Sequence, residues 1–385
     1  MNRKLRMGMI GGGKGAFIGA IHRMAATLDG AVELVCGALS QHPENALESG
    51  RALFLPQNRV YQSYQEMLER ESQLPATERM DFVAIVTPNF AHFAPAMLAL
   101  EKGFHVVLEK PMTFSLEEAR QLKQKVEETG LLLLLTHTYA GYPMVKQVRQ
   151  MVQAGELGKI RKVLVEYNQG WLSRLSEKED NKQAAWRTDP ARSGISGCMG
   201  DIGTHAAHLA EYISGLKITQ VCAQLNTVVN GRALDDDGNV LLRFEENVTG
   251  VLTASQIAAG EENNLRIKIY GENGGLEWAQ QEPNTLVVKW LDQPMQVLRA
   301  GGGSLSSYAQ HNTRTPGGHP EGYIEAFANL YRNFALTLSA LLEGTPASPE
   351  ALDFPGVEEG VRGMAFIETV VASSNSQEKW TDFMA

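Results

Sequence analysis

The sequence predicts an α/β protein of two domains. The first is a doubly wound parallel sheet, and the second is an α+β layer built on a large, mainly antiparallel open sheet. Three observations carry this prediction. The chain has 385 residues, more than one ordinary hydrophobic core serves. Apolar runs of strand length alternate with helix-period segments as far as about residue 140, which is the pattern of strand–helix–strand crossovers. Beyond Tyr142 the strands acquire one polar face, as in antiparallel sheets with one side wet. The expected boundary divides the chain into residues 1–140 and 141–385.

In the first domain, residues 5–10 read as a buried strand, followed by Gly11-Gly12-Gly13-Lys14-Gly15-Ala16 and a helix over residues 17–28. Residues 32–38 form the second strand, 63–71 a helix, and 82–87 a β-branched core strand. Residues 91–102 are helical and stop at Gly103, before a strand that ends in Glu109-Lys110-Pro111. Proline cannot donate to a sheet ladder, so it places Lys110 at the strand's carboxyl edge. Ser115-Leu116-Glu117-Glu118 is a capping box that opens the next helix. Gly130 closes that helix, and residues 131–136 are the last buried strand.

In the second domain a helix over 143–154 leads to a strand at 160–167, then to an aperiodic stretch, residues 168–199. A helix over 203–214 ends at Gly215. Strands are expected at 218–225, 239–244, 248–254, 265–270, 276–278 and 285–291, with Asn273-Gly274 as a hairpin signal. Leu265, Ile267 and Ile269 alternate with Arg266, Lys268 and Tyr270, giving one buried and one polar face. A glycine- and serine-rich loop spans 301–318, and helices cover 323–342 and 357–373.

Composition narrows the function. A hydrophobic share of 43% and a charged share of 21% are those of a globular, water-soluble chain. The net charge of −9 argues against nucleic acid or an anionic membrane as partner. Cys36, Cys198 and Cys222 are too scattered for a disulfide framework. Residues 5–10 are too short for a signal core, and the leucine run at 131–135 is too short to span a bilayer. The expected setting is the cytoplasm.

Two stretches carry chemistry. The glycine-rich turn lies between a strand and a helix, the context a dinucleotide fingerprint requires. Gly11 permits the tight turn and Gly13 lets the backbone approach a pyrophosphate. Gly11-x-Gly13-x-x-Ala16 fits with alanine third, yet Gly19-Ala20-Ile21-His22 also resembles the usual helix start, so the third position stays open. The expected contacts of the cofactor, NAD or NADP, are Gly11, Gly13, Lys14, Gly15, Ala16, Phe17, Ile18, Ser40, Thr87, Pro88, Asn89, His92, Glu109 and Lys110. No acid follows the second strand; Ser40 there can serve a 2′-hydroxyl or a 2′-phosphate, which leaves the choice between the two cofactors open.

The other stretch is Gly200-Asp201-Ile202-Gly203-Thr204-His205-Ala206-Ala207-His208. The i, i+4, i+7 spacing puts Asp201, His205 and His208 on one helical face. A carboxylate that orients a histidine suits proton transfer. Two histidines and a carboxylate also suit zinc, but no HExxH or cysteine set supports a metal, and none is expected. Trp171, Trp186 and Arg187, in the aperiodic stretch, suit a polyol, since aromatic rings cover apolar sugar faces and arginine bonds hydroxyls. Tyr139, Tyr142 and His319 complete the candidate substrate contacts, together with Lys110, Asp201 and His205.

In this order, the glycine-rich turn, Thr87-Pro88-Asn89, Glu109-Lys110-Pro111 and Asp201-x-x-x-His205 resemble the Gfo/Idh/MocA oxidoreductases along essentially the whole chain, and within them the inositol and related sugar dehydrogenases. The resemblance implies a Rossmann domain that binds NAD or NADP. It implies a second α/β domain whose open sheet makes dimers or tetramers. It also implies oxidation of a hydroxyl of a sugar or cyclitol, or the reverse, with Lys110, Asp201 and His205 as the catalytic group. The chain departs from the pattern in its long glycine turn, the missing acid and the enlarged segment 168–199. Two rivals remain at this stage: a redox-neutral, NAD-dependent glycosidase of the same family, and a sugar or cofactor sensor without catalysis on the same scaffold.

Overall fold

A computed structural model describes residues 3–179 and 181–384. Contacts divide them into two units. One comprises residues 3–138 with Tyr323–Val361, the other Tyr139–Gly322 and residues from Arg362 onward.

The first unit is a five-stranded parallel sheet in the order β2-β1-β3-β4-β5, formed by Leu5–Ile10 (β1), Val32–Ala38 (β2), Phe82–Ile85 (β3), His105–Leu108 (β4) and Leu133–Leu135 (β5). Each residue of β1, β3, β4 and β5 is buried, as unbroken apolar runs require when helices cover both faces. The helices are Phe17–Thr27 (α1), Pro43–Ala52 (α2), Tyr64–Gln73 (α3), Phe93–Glu101 (α4) and Leu116–Thr129 (α5). The capping box before α5 forms with a shift. Ser115 Oγ accepts from the Glu118 amide at 3.3 Å, while Glu118 Oε2 accepts from the Phe114 amide at 3.0 Å. Gly130, at φ 65°, ends the helix.

Two departures from the sequence expectation have physical causes. Helix α2 buries Ala46, Ser49 and Gly50, residues too small or polar to leave an apolar period. The segment Tyr323–Val361, expected in the second domain, belongs to the first unit. Phe327, Leu330, Tyr331, Phe334 and Leu338, on the helix Tyr323–Glu343, share one core with Leu5, Met7, Ile21 and Phe82. The apolar side of α1 is covered by chain that lies about 300 residues away in sequence, which a linear boundary cannot express.

The second unit holds a nine-stranded sheet. Its strands are Ile160–Asn168 (β6), Ile218–Asn226 (β7), Asp237–Phe244 (β8), Thr249–Ser255 (β9), Asn264–Gly271 (β10), Gly274–Ala279 (β11), Thr285–Trp290 (β12), Gln296–Arg299 (β13) and Thr381–Asp382 (β14). The order is β13-β12-β11-β10-β6-β9-β8-β7-β14. Every pairing is antiparallel except β6 with β9. Helices Pro143–Gln153 (α6) and Thr204–Ser214 (α9) pack on each other, and α9 packs on β6, β9 and β10. The aperiodic stretch holds two short helices, Lys182–Arg187 (α7) and Pro190–Ser193 (α8). Residues 307–311 of the glycine-rich loop are also helical. No described helix is long and apolar enough to cross a membrane.

Candidate active site

In the first unit the glycine-rich turn joins β1 to α1. Gly11, Gly12 and Gly15 sit at φ +82°, +74° and +87°, a region that costs an L side chain strain. A Cβ on Gly19 would lie 2.3 Å from Gly12 Cα, so Gly19 is the glycine that lets α1 pack against the turn. Close helix packing of this kind is the work assigned to the third fingerprint glycine. Ala16 is the N-cap residue of α1, and no side chain caps that end. Its first amide groups are therefore not taken up by a capping side chain, and with the positive end of the helix dipole they suit an anion such as a dinucleotide pyrophosphate. Lys14 is held by α2: its amide donates to Ser49 Oγ at 2.8 Å and its ammonium pairs with Glu48 at 2.5 Å. Ser40 Oγ accepts from the His42 amide at 3.1 Å.

At the ends of β3 and β4, two expected cofactor contacts take a different place. His92 is 1% exposed. Its ring nitrogens lie 2.9 Å from the Pro111 carbonyl and 2.7 Å from the Thr87 carbonyl. It bridges Thr87-Pro88-Asn89 to the cis Lys110–Pro111 peptide, and burial lowers its pKa. Glu109 turns inward: Oε1 accepts from Thr136 Oγ1 at 2.6 Å and lies 2.8 Å from His22 Nε2, while His22 Nδ1 lies 2.7 Å from the Tyr331 hydroxyl. Burial pushes the Glu109 carboxyl up. The hydrogen bond and charge of His22, then Thr136 and the Lys110 charge, outweigh this and hold it below its ordinary value. Asn89 is buried, whereas Thr87, Pro88 and Lys110 are half-buried.

In the second unit Asp201 lies in a π-turn, Met199–Gly203, that leads into α9. Its Oδ2 accepts from Gln256 Nε2 at 2.9 Å and pairs with Arg187 Nε at 3.2 Å. The Arg187 guanidinium lies 4.3 Å from the Trp186 ring centroid and 5.9 Å from that of Trp171, distances at which a cation is attracted to a ring face. Trp171 Nε1 donates to Gln169 Oε1 at 2.9 Å, and Gln169 Nε2 donates to Asn263 Oδ1 at 2.7 Å. Asn263 also accepts from the Tyr167 hydroxyl at 2.7 Å and donates to the Tyr139 hydroxyl at 3.2 Å. The Tyr139 and Tyr167 hydroxyls are hydrogen-bonded to each other. The Tyr139 ring stands edge-on to His205, with centroids 4.9 Å apart and planes at 82°. Burial is the main cause that raises the Tyr139 pKa, and the Asp201 charge adds to it.

The structure thus gathers Trp171, Trp186, Arg187 and Asp201 into one cluster, and places Tyr139 against His205. It does not treat the other expected substrate contacts alike. Tyr142 is 1% exposed, stacked on Tyr139 and tilted at 52° against Trp278, so it is a core residue. His319 is exposed on its loop, with Nδ1 3.2 Å from the Pro316 carbonyl. His208 stacks on Tyr212; burial first, then the charge of His205, holds its pKa well below the ordinary value. Among the described residues, no group of three His, Cys, Asp or Glu could hold a metal ion.

The sequence reading missed Gln256, Gln169, Tyr167 and Asn263. Their signal is positional. Asn168 pairs with both Ser255 and Asn264, so Gln169, Gln256 and Asn263 all lie just beyond one edge of the sheet. Only the register brings together polar strand ends that are about 90 residues apart.

The comparisons agree with this picture. Residues 5–137 match the family model described as an oxidoreductase family with an NAD-binding Rossmann fold, and residues 145–277 match the GFO/IDH/MocA C-terminal domain. A Bacillus subtilis (strain 168) protein named Uncharacterized oxidoreductase YfiI is 31% identical, over 100% of this chain and 98% of its own. A solved inositol dehydrogenase homolog from Azotobacter vinelandii, complexed with NAD+, superposes with a TM-score of 0.94 at 35% identity, covering 100% of this chain and 98% of that one. The same homolog complexed with NADH and myo-inositol superposes at 0.91 with 34% identity and the same coverage.

Proposed function

This chain belongs to the Gfo/Idh/MocA oxidoreductases, and on that premise we propose that it oxidises a secondary hydroxyl of a cyclic polyol or sugar of the inositol class, or reduces the corresponding ketone. The observation that carries this is the cluster at the edge of the second-unit sheet. It combines Asp201, Arg187 and two tryptophan rings with a histidine held against Tyr139. Such a surface offers flat apolar area for ring carbons and charged groups for hydroxyls. The solved homolog that holds NADH and myo-inositol supports the same substrate class.

The residues divide the work as follows. His205 takes the hydroxyl proton as general base, and Asp201 stabilises the imidazolium that results. Lys110 donates a hydrogen bond to the same oxygen and stabilises the negative charge that develops on it; this assignment rests on the family resemblance. Trp171 and Trp186 cover the ring, and Arg187 bonds neighbouring hydroxyls. The uncapped start of α1 and the turn from Gly11 to Ala16 would hold the pyrophosphate of NAD or NADP, and Ser40 would serve the adenosine ribose. The nicotinamide would supply the hydride acceptor for the carbon that bears the hydroxyl. The test is a panel of inositols, hexoses and glycosides incubated with NAD and with NADP and followed by absorbance of the reduced cofactor. Net reduction with a free polyol is the expected result. Glycoside cleavage without net reduction refutes the proposal.

We also assign the second-unit sheet to self-association as a homodimer or homotetramer. On one face Cys222, Leu241, Val251 and Leu164 form a single cross-strand row, and Leu241 is 45% exposed. Rows with Gln224, Asn239, Thr253 and Glu166 on one side, and Gln220, Arg243, Thr249 and Lys162 on the other, flank it. An apolar stripe with a polar border on a flat sheet suits a second copy of the same face.

A further inference from the structure

Gln256 is 2% exposed, and a polar side chain that deep is held in place for a reason. Its amide nitrogen donates to Asp201 Oδ2 at 2.9 Å. Its own backbone is fixed on both sides, since its N–H donates to the Asp236 carbonyl at 2.9 Å and its carbonyl accepts from the Leu172 amide at 3.1 Å. The adjacent Asp235 grips the chain that carries Asp201. Its carboxylate accepts from the amides of Gly197 at 2.8 Å and Met199 at 2.9 Å, and its carbonyl accepts from the Cys198 amide at 2.8 Å. The Asp201 amide in turn donates to the Gly197 carbonyl at 2.9 Å. The backbone of Asp201 and the donor to its carboxylate are thus both referred to one corner, Asp235 and Asp236.

We propose that Gln256 is a positioning residue for proton transfer, acting through Asp201: it fixes the orientation of the carboxylate assigned to serve His205. The inference rests on the assignment of Asp201 and His205 given above and adds to it the group that sets their geometry. Donation to a carboxylate favours its charged form. The Arg187 guanidinium forms an ion pair with the same Oδ2 at 3.2 Å, and the Gln256 amide supplies the directional hydrogen bond. Without the Gln256 amide, Asp201 turns with Arg187 and its field at His205 weakens.

The test needs no substrate. The imidazole of His205, one of nine histidines, is titrated by NMR in the full-length protein, with assignment by its loss in His205→Asn. Asp201→Asn removes a negative charge and lowers the midpoint, by about one pH unit at the separations typical of such pairs. Gln256→Met is expected to lower it part of the way to the Asp201→Asn value. Gln256→Asn keeps the amide but shortens the side chain by one methylene, which withdraws the donor from Asp201, so the midpoint is expected to fall in the same direction as in Gln256→Met. The affinity for NADH, measured by fluorescence, stays within about twofold throughout, because Gln256 and the glycine-rich turn lie in different units. If Asp201→Asn moves the midpoint while Gln256→Met leaves it unchanged or raises it, the positioning role is wrong. If Gln256→Met does not fold, an unmoved midpoint in Gln256→Asn decides the same way. If Asp201→Asn itself leaves the midpoint unmoved, the pairing of Asp201 with His205 fails, and the inference with it.

Discussion

Glu109→Gln separates a buried anchor from a cofactor contact at the residue beside Lys110. The carboxylate Oε1 makes two short contacts, at 2.8 Å with His22 and 2.6 Å with Thr136, and Oε2 accepts weakly from the Lys110 amide at 3.3 Å. Glutamine keeps the shape and one acceptor but loses the charge. A hydrogen bond to a charged group is worth about 1.5–3 kcal/mol net, against about 0.5–1.5 kcal/mol for a neutral one. Two such contacts converted from charged to neutral cost about 2–3 kcal/mol. For a unit of roughly 180 residues that is about 4–12 °C in melting midpoint, at about 2–4 °C per kcal/mol. The pH dependence has a definite sign. A carboxyl whose folded pKa lies below its unfolded value contributes fully above the unfolded value, about 4.3, and loses its contribution as pH falls through the folded one. The part of the gap between wild type and Glu109→Gln that comes from the carboxyl's own titration is therefore fully present at about pH 5 and closes in more acid solution. Melting followed by circular dichroism across that range, with NADH affinity measured in parallel, checks the argument. An unchanged midpoint combined with a loss of NADH affinity greater than about tenfold would refute it, because the carboxylate would then be serving the cofactor.

Three other outcomes are expected. Lys110→Met leaves NADH binding nearly intact but lowers turnover by at least about a hundredfold, the scale of losing one oxyanion donor; near-normal turnover would remove Lys110 from the reaction. In wild type, kcat/KM for alcohol oxidation rises with pH as the base loses its proton. His205→Asn abolishes most activity and flattens that limb, whereas His208→Asn leaves the limb in place, since His208 is buried and held neutral; the reverse pattern in a pH–rate profile would exchange their roles. Leu241→Glu puts a charge into the apolar row on the second-unit sheet and shifts the sedimentation equilibrium toward smaller species, with turnover per chain as the control. Unchanged association would mean that this face is not the interface.

The legible part of the fold is the part whose signals are local. Strand β1 and strand β2 lie where their apolar runs begin and end, and Ser63, Ser115, Gly130 and Gly215 stand at the helix ends where capping chemistry puts them. Helix α2 was illegible because its buried face is Ala46, Ser49 and Gly50, which carry no period on a hydrophobic scale. The short strands Gln296–Arg299 and Thr381–Asp382 form at opposite ends of the sheet order, and only their partners make them strands. Tyr323–Val361 was misplaced for a related reason. A helix that is amphipathic declares that it will be covered and covers something, but not which core it joins.

The candidate site divides along the same line. Lys110, Asp201 and His205 stand out as candidates because short stretches of adjacent residues mark them. An i, i+4 relation between Asp201 and His205 requires an α-helix through both, whereas the chain takes a π-turn at Met199–Gly203 before α9 begins. A π-turn inserts a residue into the helical path and re-aims the side chains within it. Asp201 is thereby directed to Gln256 and Arg187, neither of which any local spacing connects to it. Its hold depends on strands β6, β8 and β9 ending in register at one edge, where Asp236 fixes Gln256 and Gln256 fixes Asp201. The candidate residues for chemistry are thus written in short motifs, whereas the contacts that hold Asp201 are written in the pairing of strands. That division is why the titration of His205 in Gln256 variants is the more demanding test: it asks whether the register of a sheet reaches the proton on a histidine.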